Sequence, residues 1–264
     1  MDPEIGGRLP DEARKFLGRA QSFFAADDRF SALLVAGSAI DGGMDEFSDL
    51  DLIIVCPDAT YGSVMGVRRR IAESLGDLQA AFTGEHVGEP RLLICLYGPP
   101  LLHVDLKFVT ADDLDQRVET PLVAWARAPS IRERLRAGSA AWPDRPPQWF
   151  EDRFWIWIHY GATKIGRGEY FEALTTLSFV RDQVLGPLIC RSVGRDQRGV
   201  RRLERLAPEL ATRLQGTIGT ADEQDLKRAY AAAIALYREL RAGAPPEDQR
   251  PSREEAVSRF VETV

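Results

Sequence analysis

The stretch GSAIDGGMDEFSDLDL, from Gly37 to Leu52, sets five acidic residues between two aliphatic runs. The run SALLVAG before it and the run DLDLIIVC at its end have the length and composition of short buried strands. Side chains alternate across a strand, so Asp49 and Asp51 share one face, and Leu50, Leu52 and Ile54 share the other. Two carboxylates so close together need a cation, basic side chains or protonation to relieve their repulsion, and a divalent metal is the simplest solution.

A later apolar strand, LLHVDLKFV from Leu101 to Val109, repeats this arrangement. Its polar positions alternate with aliphatic ones, so Asp105 is a third strand-borne carboxylate on the same face as Lys107. If this strand lies beside the first acidic strand with its polar face on the same side, the three acids converge. Such a cluster suits Mg²⁺, which takes carboxylate, phosphate and water oxygens. Lys107 has two interpretations: it contacts phosphate, or it neutralises the acids.

The turn after the first strand supplies groups for an anion. Gly37 lets the backbone approach a ligand closely, and Ser38 offers its hydroxyl and amide to a phosphate oxygen. The whole stretch is therefore predicted to hold a nucleoside triphosphate together with its metal.

The order and spacing of these groups resemble a known family. Gly37-Ser38, ten intervening residues, the run Asp49-Leu50-Asp51-Leu52 and the later strand with Asp105 resemble the signature of the nucleotidyltransferase superfamily that shares the DNA polymerase beta core. Within it, the Asp-Gly-Gly and Ser-Asp-x-Asp elements are most similar to the streptomycin and spectinomycin adenylyltransferases.

The resemblance implies a role for each group. Gly37 and Ser38 would bind the triphosphate, Asp49 and Asp51 would ligate Mg²⁺, and Asp105 would be a third metal ligand, the general base for the acceptor hydroxyl, or both. The implied reaction transfers AMP from ATP, the co-substrate, to a hydroxyl of a small molecule, with an aminoglycoside-type antibiotic as the favoured acceptor. Two alternatives stay open: an enzyme that modifies a protein or RNA partner, and a non-catalytic nucleotide-binding module.

Periodicity predicts an α/β (α+β) chain in two parts. In the first part it indicates helices over residues 11–26 and 67–82, strands over 31–37, 49–56, 91–97 and 101–109, and an edge strand over 122–126. From about Trp149 onward, after the proline-rich WPDRPPQW, only helical spacing remains. It predicts helices over residues 154–165, 170–193, 200–214 and 221–241, the last with one stripe formed by Leu226, Tyr230, Ile234, Tyr237 and Leu240. We expect a small mixed-sheet nucleotidyltransferase domain over residues 1–145 and an all-helical bundle over 146–264 that closes over nucleotide and acceptor.

The helical part carries one further candidate. In HYGATKIGRGEY, Tyr160 and Lys164 lie four residues apart on one helical face. Lys164 either binds the triphosphate or is an ordinary surface lysine. Ser252 begins a Ser-x-x-Glu sequence that predicts a capping box for a last helix. The histidines lack the spacing of a ligand set, and none is assigned a catalytic role.

Bulk properties exclude several classes of protein. The net charge of −6 argues against a general nucleic-acid-binding surface. Three separated cysteines amid aliphatic residues indicate buried thiols and a reducing, cytoplasmic location. No apolar run approaches the roughly 18 residues that span a bilayer, so no membrane association is expected. The oligomeric state is left open.

Overall fold

The computed structural model describes residues 3–264. The chain splits into two compact units, Met1–Trp142 and Pro143–Val264. The first is built on a mixed sheet and the second is all-helical, as the periodicity predicts. The domain boundary expected at residue 145, and the roles expected of the two parts, stay predictions.

The amino-terminal unit combines α-helices with β-strands. Its helices are α1 (Pro3–Gly6), α2 (Asp11–Ala25), α3 (Asp58–Leu75) and α4 (Ser130–Ala137). Its strands are β1 (Ala32–Val35), β2 (Leu50–Val55), β3 (Leu78–Gly84), β4 (Glu89–Tyr97), β5 (Leu102–Val109) and β6 (Leu122–Ala126).

These strands form one sheet in the order β3-β4-β5-β2-β1-β6. β2 and β5 run parallel, whereas the other neighbouring strands are antiparallel. The sheet is therefore mixed, and β6 lies at an edge as predicted. This parallel pair joins the strands that carry Asp51 and Asp105.

The two faces of this sheet are covered unequally. Helices α2 and α3 pack on one face, over a large core that includes Leu50, Leu52 and Ile54. On the other face a smaller cluster gathers under α4 and the turn Asp112–Gln116. That second face carries Asp51, which is only partly buried. The predicted division of β2 into an apolar packing face and a face with carboxylates is confirmed.

One sequence prediction fails in this unit. The helix expected over residues 67–82 lies at Asp58–Leu75, and the residues from Leu78 form strand β3 instead. Gly76 leaves the helix in an extended conformation with φ 163°. The following segment then pairs with β4, for example Phe82 with Ile94. Cross-strand pairing outweighs the helical propensity of its Leu, Gln and Ala residues.

The carboxy-terminal unit is a helical bundle. Its helices are α5 (Pro147–Gly166), α6 (Tyr170–Val180), α7 (Gly186–Ser192), α8 (Leu203–Leu206), α9 (Pro208–Gln215), α10 (Glu223–Ala242) and α11 (Pro251–Thr263). Helix α5 packs against α6, α10 and α11. The stripe expected along α10 is buried in the core, namely Leu226, Tyr230, Ile234, Tyr237 and Leu240.

The structure corrects three predictions for the helices of this unit. The helix expected over residues 170–193 is interrupted by a π-helical segment, Arg181–Leu185. The helix expected over residues 200–214 is two short helices, because Pro208 starts a new one. The capping box at Ser252 is wrong: α11 begins at Pro251, after Arg250, and has no side-chain cap. Proline suits the first helical position, since its missing N–H has no partner there in any case.

The three cysteines, Cys56, Cys95 and Cys190, are buried and form no disulfide among the described residues. Burial raises the pKa of the Cys56 and Cys95 thiols to about 12, so both are protonated at neutral pH. Within residues 3–264, no helix combines the length and apolar character needed to cross a bilayer.

Candidate metal and nucleotide site

The structure brings the three predicted acids together. Asp49 directly precedes β2, Asp51 lies within it, and Asp105 lies on β5. In the parallel β2–β5 pair, Asp51 and Asp105 are direct register partners. One carboxylate oxygen from each acid lies within 4.8 Å of the others, and all three residues are partly buried. Three hard oxygen donors at this spacing, open to solvent on one side, fit the ligand requirements of Mg²⁺.

Asp105 is partly buried, with 19% of its side chain exposed. Burial raises the pKa of its carboxyl above the ordinary value, and the nearby Asp49 acts in the same direction. His103 opposes this shift, since its Nε2 lies 3.0 Å from Asp105 Oδ1. His103 and Asp105 are two residues apart and therefore share one face of β5, so their contact could have been predicted from the sequence. The sequence analysis gave His103 no role.

The turn after β1 lies directly against Asp51. Gly37 has a φ of 63°, in the left-handed region that favours glycine. A Cβ atom built on Gly37 would lie 1.8 Å from Asp51 Oδ2, so the carboxylate occupies the space that any side chain would need. Only glycine permits this close approach of turn and acid.

Ser38 follows in the same turn, and its side chain is 6% exposed. Its Oγ is buried and has no hydrogen-bond partner among the residues that the structure describes. A buried hydroxyl without a partner is costly, which indicates that a group from outside the chain completes its hydrogen bonding.

One residue of this turn has an unexpected partner. The backbone N–H of Gly37 donates to Glu119 Oε1 at 2.6 Å. Glu119 lies 82 residues along the chain, in the segment that leads into β6. No local sequence pattern points to this contact, and sequence analysis missed Glu119 entirely.

Lys107 pairs with a carboxylate outside the triad, and its predicted contact with phosphate stays a prediction. Its Nζ lies 2.7 Å from Glu89, a carboxylate that Arg91 also binds. Hydrogen bonds from Arg91, assisted by Lys107, lower the pKa of Glu89 to about 2. Arg91 bridges onward to Asp113 at 2.8 Å. The lysine is thus part of a compensated charge network beside the triad.

A cavity of about 280 Å³ connects these groups. Its wall includes two triad members, Asp51 and Asp105, together with Lys107, Glu89 and Glu119. Asp51 and Asp105 therefore open into a partly enclosed volume within the amino-terminal unit, where a bound ligand would be partly shielded from water.

Lys164, the remaining predicted site residue, lies on α5 of the helical unit. Its Nζ lies 2.9 Å from Glu172 and 3.1 Å from Glu169, and 4.8 Å from the ring centroid of Tyr160. Hydrogen bonds to the two glutamates raise the pKa of Lys164, so it stays charged. The part predicted for Lys164 in triphosphate binding stays a prediction.

Comparison with known proteins gives weak likenesses only. No family model matches the chain, and a search of curated proteins finds no match. Among solved structures, the chain is similar to an aminoglycoside 6-adenyltransferase from Bacillus subtilis, with a TM-score of 0.40 and 16% identity over 97% of this chain and 98% of that one. It is also similar to a nucleotidyltransferase-like protein from Exiguobacterium sibiricum, with a TM-score of 0.37 and 13% identity over 94% and 88% of the two chains.

A third similar structure is a STING-associated CdnE c-di-GMP synthase from Capnocytophaga granulosa. Its TM-score is 0.35, with 12% identity over 92% of this chain and 83% of that one. All three proteins are named for nucleotidyl transfer or for the synthesis of a dinucleotide. At these scores the likenesses do not establish a family, so a functional proposal has to rest on the geometry of the site.

Proposed function

We propose that this chain is a Mg²⁺-dependent nucleotidyltransferase that transfers AMP from ATP to a hydroxyl group of a small molecule. The observation that carries the proposal is the convergence of Asp49, Asp51 and Asp105 beside a glycine turn whose buried Ser38 hydroxyl has no partner within residues 3–264. Acids alone are common on protein surfaces. The combination with an unsatisfied hydroxyl and a left-handed glycine is what indicates a phosphate ligand.

The donor set fits magnesium. Asp49, Asp51 and Asp105 would hold the ion, since their oxygens can approach one point and are exposed enough to leave room for phosphate and water ligands. When bound, Mg²⁺ would neutralise the carboxylates and stabilise the negative charge of the phosphates during transfer.

The order of strands supports a direction for the proposed chemistry. The Gly37 turn follows β1, on one side of β2, whereas Asp105 lies on β5, on the other side. The Gly37 amide and the Ser38 hydroxyl would bind the triphosphate, and the leaving pyrophosphate would depart on their side. In-line displacement then requires the acceptor to approach from the side of β5.

Asp105 lies on that acceptor side. Its carboxylate would take the proton of the acceptor hydroxyl as the new O–P bond forms and the bond to pyrophosphate breaks. His103, hydrogen-bonded to Asp105, would orient this carboxylate. Enclosure in the cavity would limit competition from water for the same phosphorus.

The acceptor class rests on the motif resemblance, and an aminoglycoside-type antibiotic is our proposed acceptor. Purified protein would be incubated with Mg-ATP and a panel of streptomycin, spectinomycin and a lincosamide. A mass gain of one AMP on any acceptor, with matching pyrophosphate release, supports the proposal. ATP binding with no product across the panel would redirect the search to a protein or RNA acceptor. Absence of ATP binding would contradict a nucleotide-binding role altogether.

Two variants test the metal assignment. Asp51→Asn keeps the shape of the side chain but removes its charge from the triad, and we expect it to abolish transfer. Asp41→Asn makes the same change at an exposed position of the same loop, and we expect it to keep full activity. Equal activity of the two variants would refute the assignment.

Lys164 is proposed to contribute to triphosphate binding. The triphosphate would compete with Glu169 and Glu172 for its ammonium group. Lys164→Ala should therefore weaken ATP binding, whereas Lys227→Ala, which removes a lysine paired with Glu223 in the same unit, should not. Unchanged affinity in Lys164→Ala would leave it the structural role of a buried lysine paired with Glu169 and Glu172.

A further inference from the structure

The amide that our proposed function gives to the triphosphate already holds an anion of the chain itself. Gly37 N–H donates to the carboxylate of Glu119 at 2.6 Å, a short, charge-assisted hydrogen bond. A carboxylate oxygen and a phosphate oxygen are both anionic acceptors, and they would use the same donor in the same way. The single N–H of Gly37 can point well at only one of them.

The surroundings of Gly37 make this contact more than an ordinary loop hydrogen bond. Asp51 Oδ2 lies 1.8 Å from the point that a Cβ on this glycine would occupy. The next residue, Ser38, buries a hydroxyl that has no partner within the described chain. Glu119 therefore fills one of the two phosphate-binding donors of the turn and leaves the other unsatisfied. This incomplete occupation is expected of a stand-in rather than of the true ligand.

We propose that Glu119 is an intramolecular competitor of the triphosphate, which occupies the Gly37 amide in the nucleotide-free chain and must leave it when nucleotide binds. The inference rests on the proposed function. Glu119 would thereby set how tightly the site binds a polyphosphate, a role that neither the three acids nor the glycine turn has.

The site has room for this exchange. Glu119 lines the cavity of about 280 Å³ together with Asp51 and Asp105. We expect the carboxylate to leave Gly37 by rotation of the Glu119 side chain within this cavity. The negative charge of Glu119 adds to that of the triad, so a bound polyphosphate would also favour its departure by repulsion.

The test measures the binding of inorganic pyrophosphate without metal, and of Mg-ATP, by calorimetry on the full chain. Loss of a competing hydrogen bond to a charged group should strengthen pyrophosphate binding by about tenfold in Glu119→Ala. Glu119→Gln keeps a weaker, uncharged acceptor at the same place, so its gain should be smaller. Glu73→Gln removes one negative charge from an exposed position on α3 and should leave the affinity unchanged. Circular dichroism would check that each variant is folded.

Most structural damage would weaken binding, so a gain in affinity is a specific signature of competition. Unchanged or weaker pyrophosphate binding in folded Glu119→Ala would overturn the proposal. Equal gains in Glu119→Ala and Glu119→Gln would overturn it as well, because they would assign the effect to charge alone. A loss of Mg-ATP affinity in both variants would instead make Glu119 a metal ligand.

These outcomes separate the inference from the proposed function. If the wild-type chain transfers AMP while the Glu119 variants keep its affinity for pyrophosphate, only the competition is refuted. If neither the wild-type chain nor any variant binds pyrophosphate or Mg-ATP, the proposed function fails and the inference fails with it.

Discussion

Replacing Gly37 by alanine should damage the proposed metal site more than the fold. The backbone of Gly37 has a φ of 63°, and an alanine there carries a penalty of about 1–2 kcal/mol. Its Cβ would lie 1.8 Å from Asp51 Oδ2, so the carboxylate must retreat about 1.6 Å to reach the 3.4 Å of an ordinary contact. An off-rotamer side chain of this kind adds about 1 kcal/mol. We therefore expect Gly37→Ala to lower the free energy of unfolding by about 2–3 kcal/mol in total.

Gly42 provides a matched control for this change. It lies in the same loop with a φ of 68°, but its added Cβ would meet nothing within 4 Å. Gly42→Ala should therefore carry the backbone penalty of about 1–2 kcal/mol alone. The difference between the two variants isolates the displacement of Asp51.

The consequence for metal binding is larger than the consequence for stability. Mg²⁺ requires near-ideal octahedral geometry with oxygen distances of about 2.0–2.1 Å, so a ligand displaced by more than an ångström no longer serves. Gly37→Ala should lower Mg²⁺ affinity by about tenfold or more, whereas Gly42→Ala should leave it unchanged. Calorimetric titration with Mg²⁺ and urea unfolding followed by circular dichroism measure the two effects. Equal Mg²⁺ affinities in the two folded variants would refute this account of the turn.

Two further predictions concern stability. The lowered pKa of Glu89, about 2 against an ordinary 4.5, stabilises the fold by about 3 kcal/mol above pH 4.5, and this contribution is lost as the pH falls towards 2. The difference in urea stability between wild type and Glu89→Gln should thus shrink by about 2 kcal/mol from pH 7 to pH 3, and a constant difference would contradict the ion-pair explanation. Gly161→Ala should destabilise the helical unit, because the new Cβ would lie 1.8 Å from the buried Tyr230 hydroxyl. Gly62→Ala on α3 places its Cβ where no atom lies within 4 Å, so it should stabilise the protein by about 0.5–1 kcal/mol. Thermal unfolding that ranks the two variants the other way would refute the packing argument.

The acidic triad was predictable because each acid interrupts a regular apolar alternation. Asp51 and Asp105 stand where the pattern of β2 and β5 demands a residue on the less covered face, so the sequence alone identifies both positions. That the two strands are parallel neighbours does not follow from either strand alone. The convergence was therefore a conditional prediction, and the pairing of Asp51 with Asp105 satisfies its condition.

Other parts of the fold and site lacked a local signal. Strand β3 was mistaken for the end of a helix because Leu78 to Ala81 has good helical propensity, and only pairing with β4 makes it a strand. Glu119 reaches Gly37 across 82 residues of chain, through a segment without regular periodicity. Contacts of this kind depend on tertiary closure, which a single sequence does not encode in any short window.

The packing of β5 fixes the register that places Asp105 beside Asp51. Val104, Leu106 and Phe108 are fully buried against the helices on one face of the sheet. A slip of one residue along β2 would turn these side chains to the opposite face and move Asp105 into the apolar core. The free energy of burying three large side chains, about 1.5–3 kcal/mol each, opposes that slip. Mutations that weaken the β5 core should therefore loosen the carboxylate cluster before they unfold the sheet, so metal affinity is a more sensitive report of this packing than overall stability.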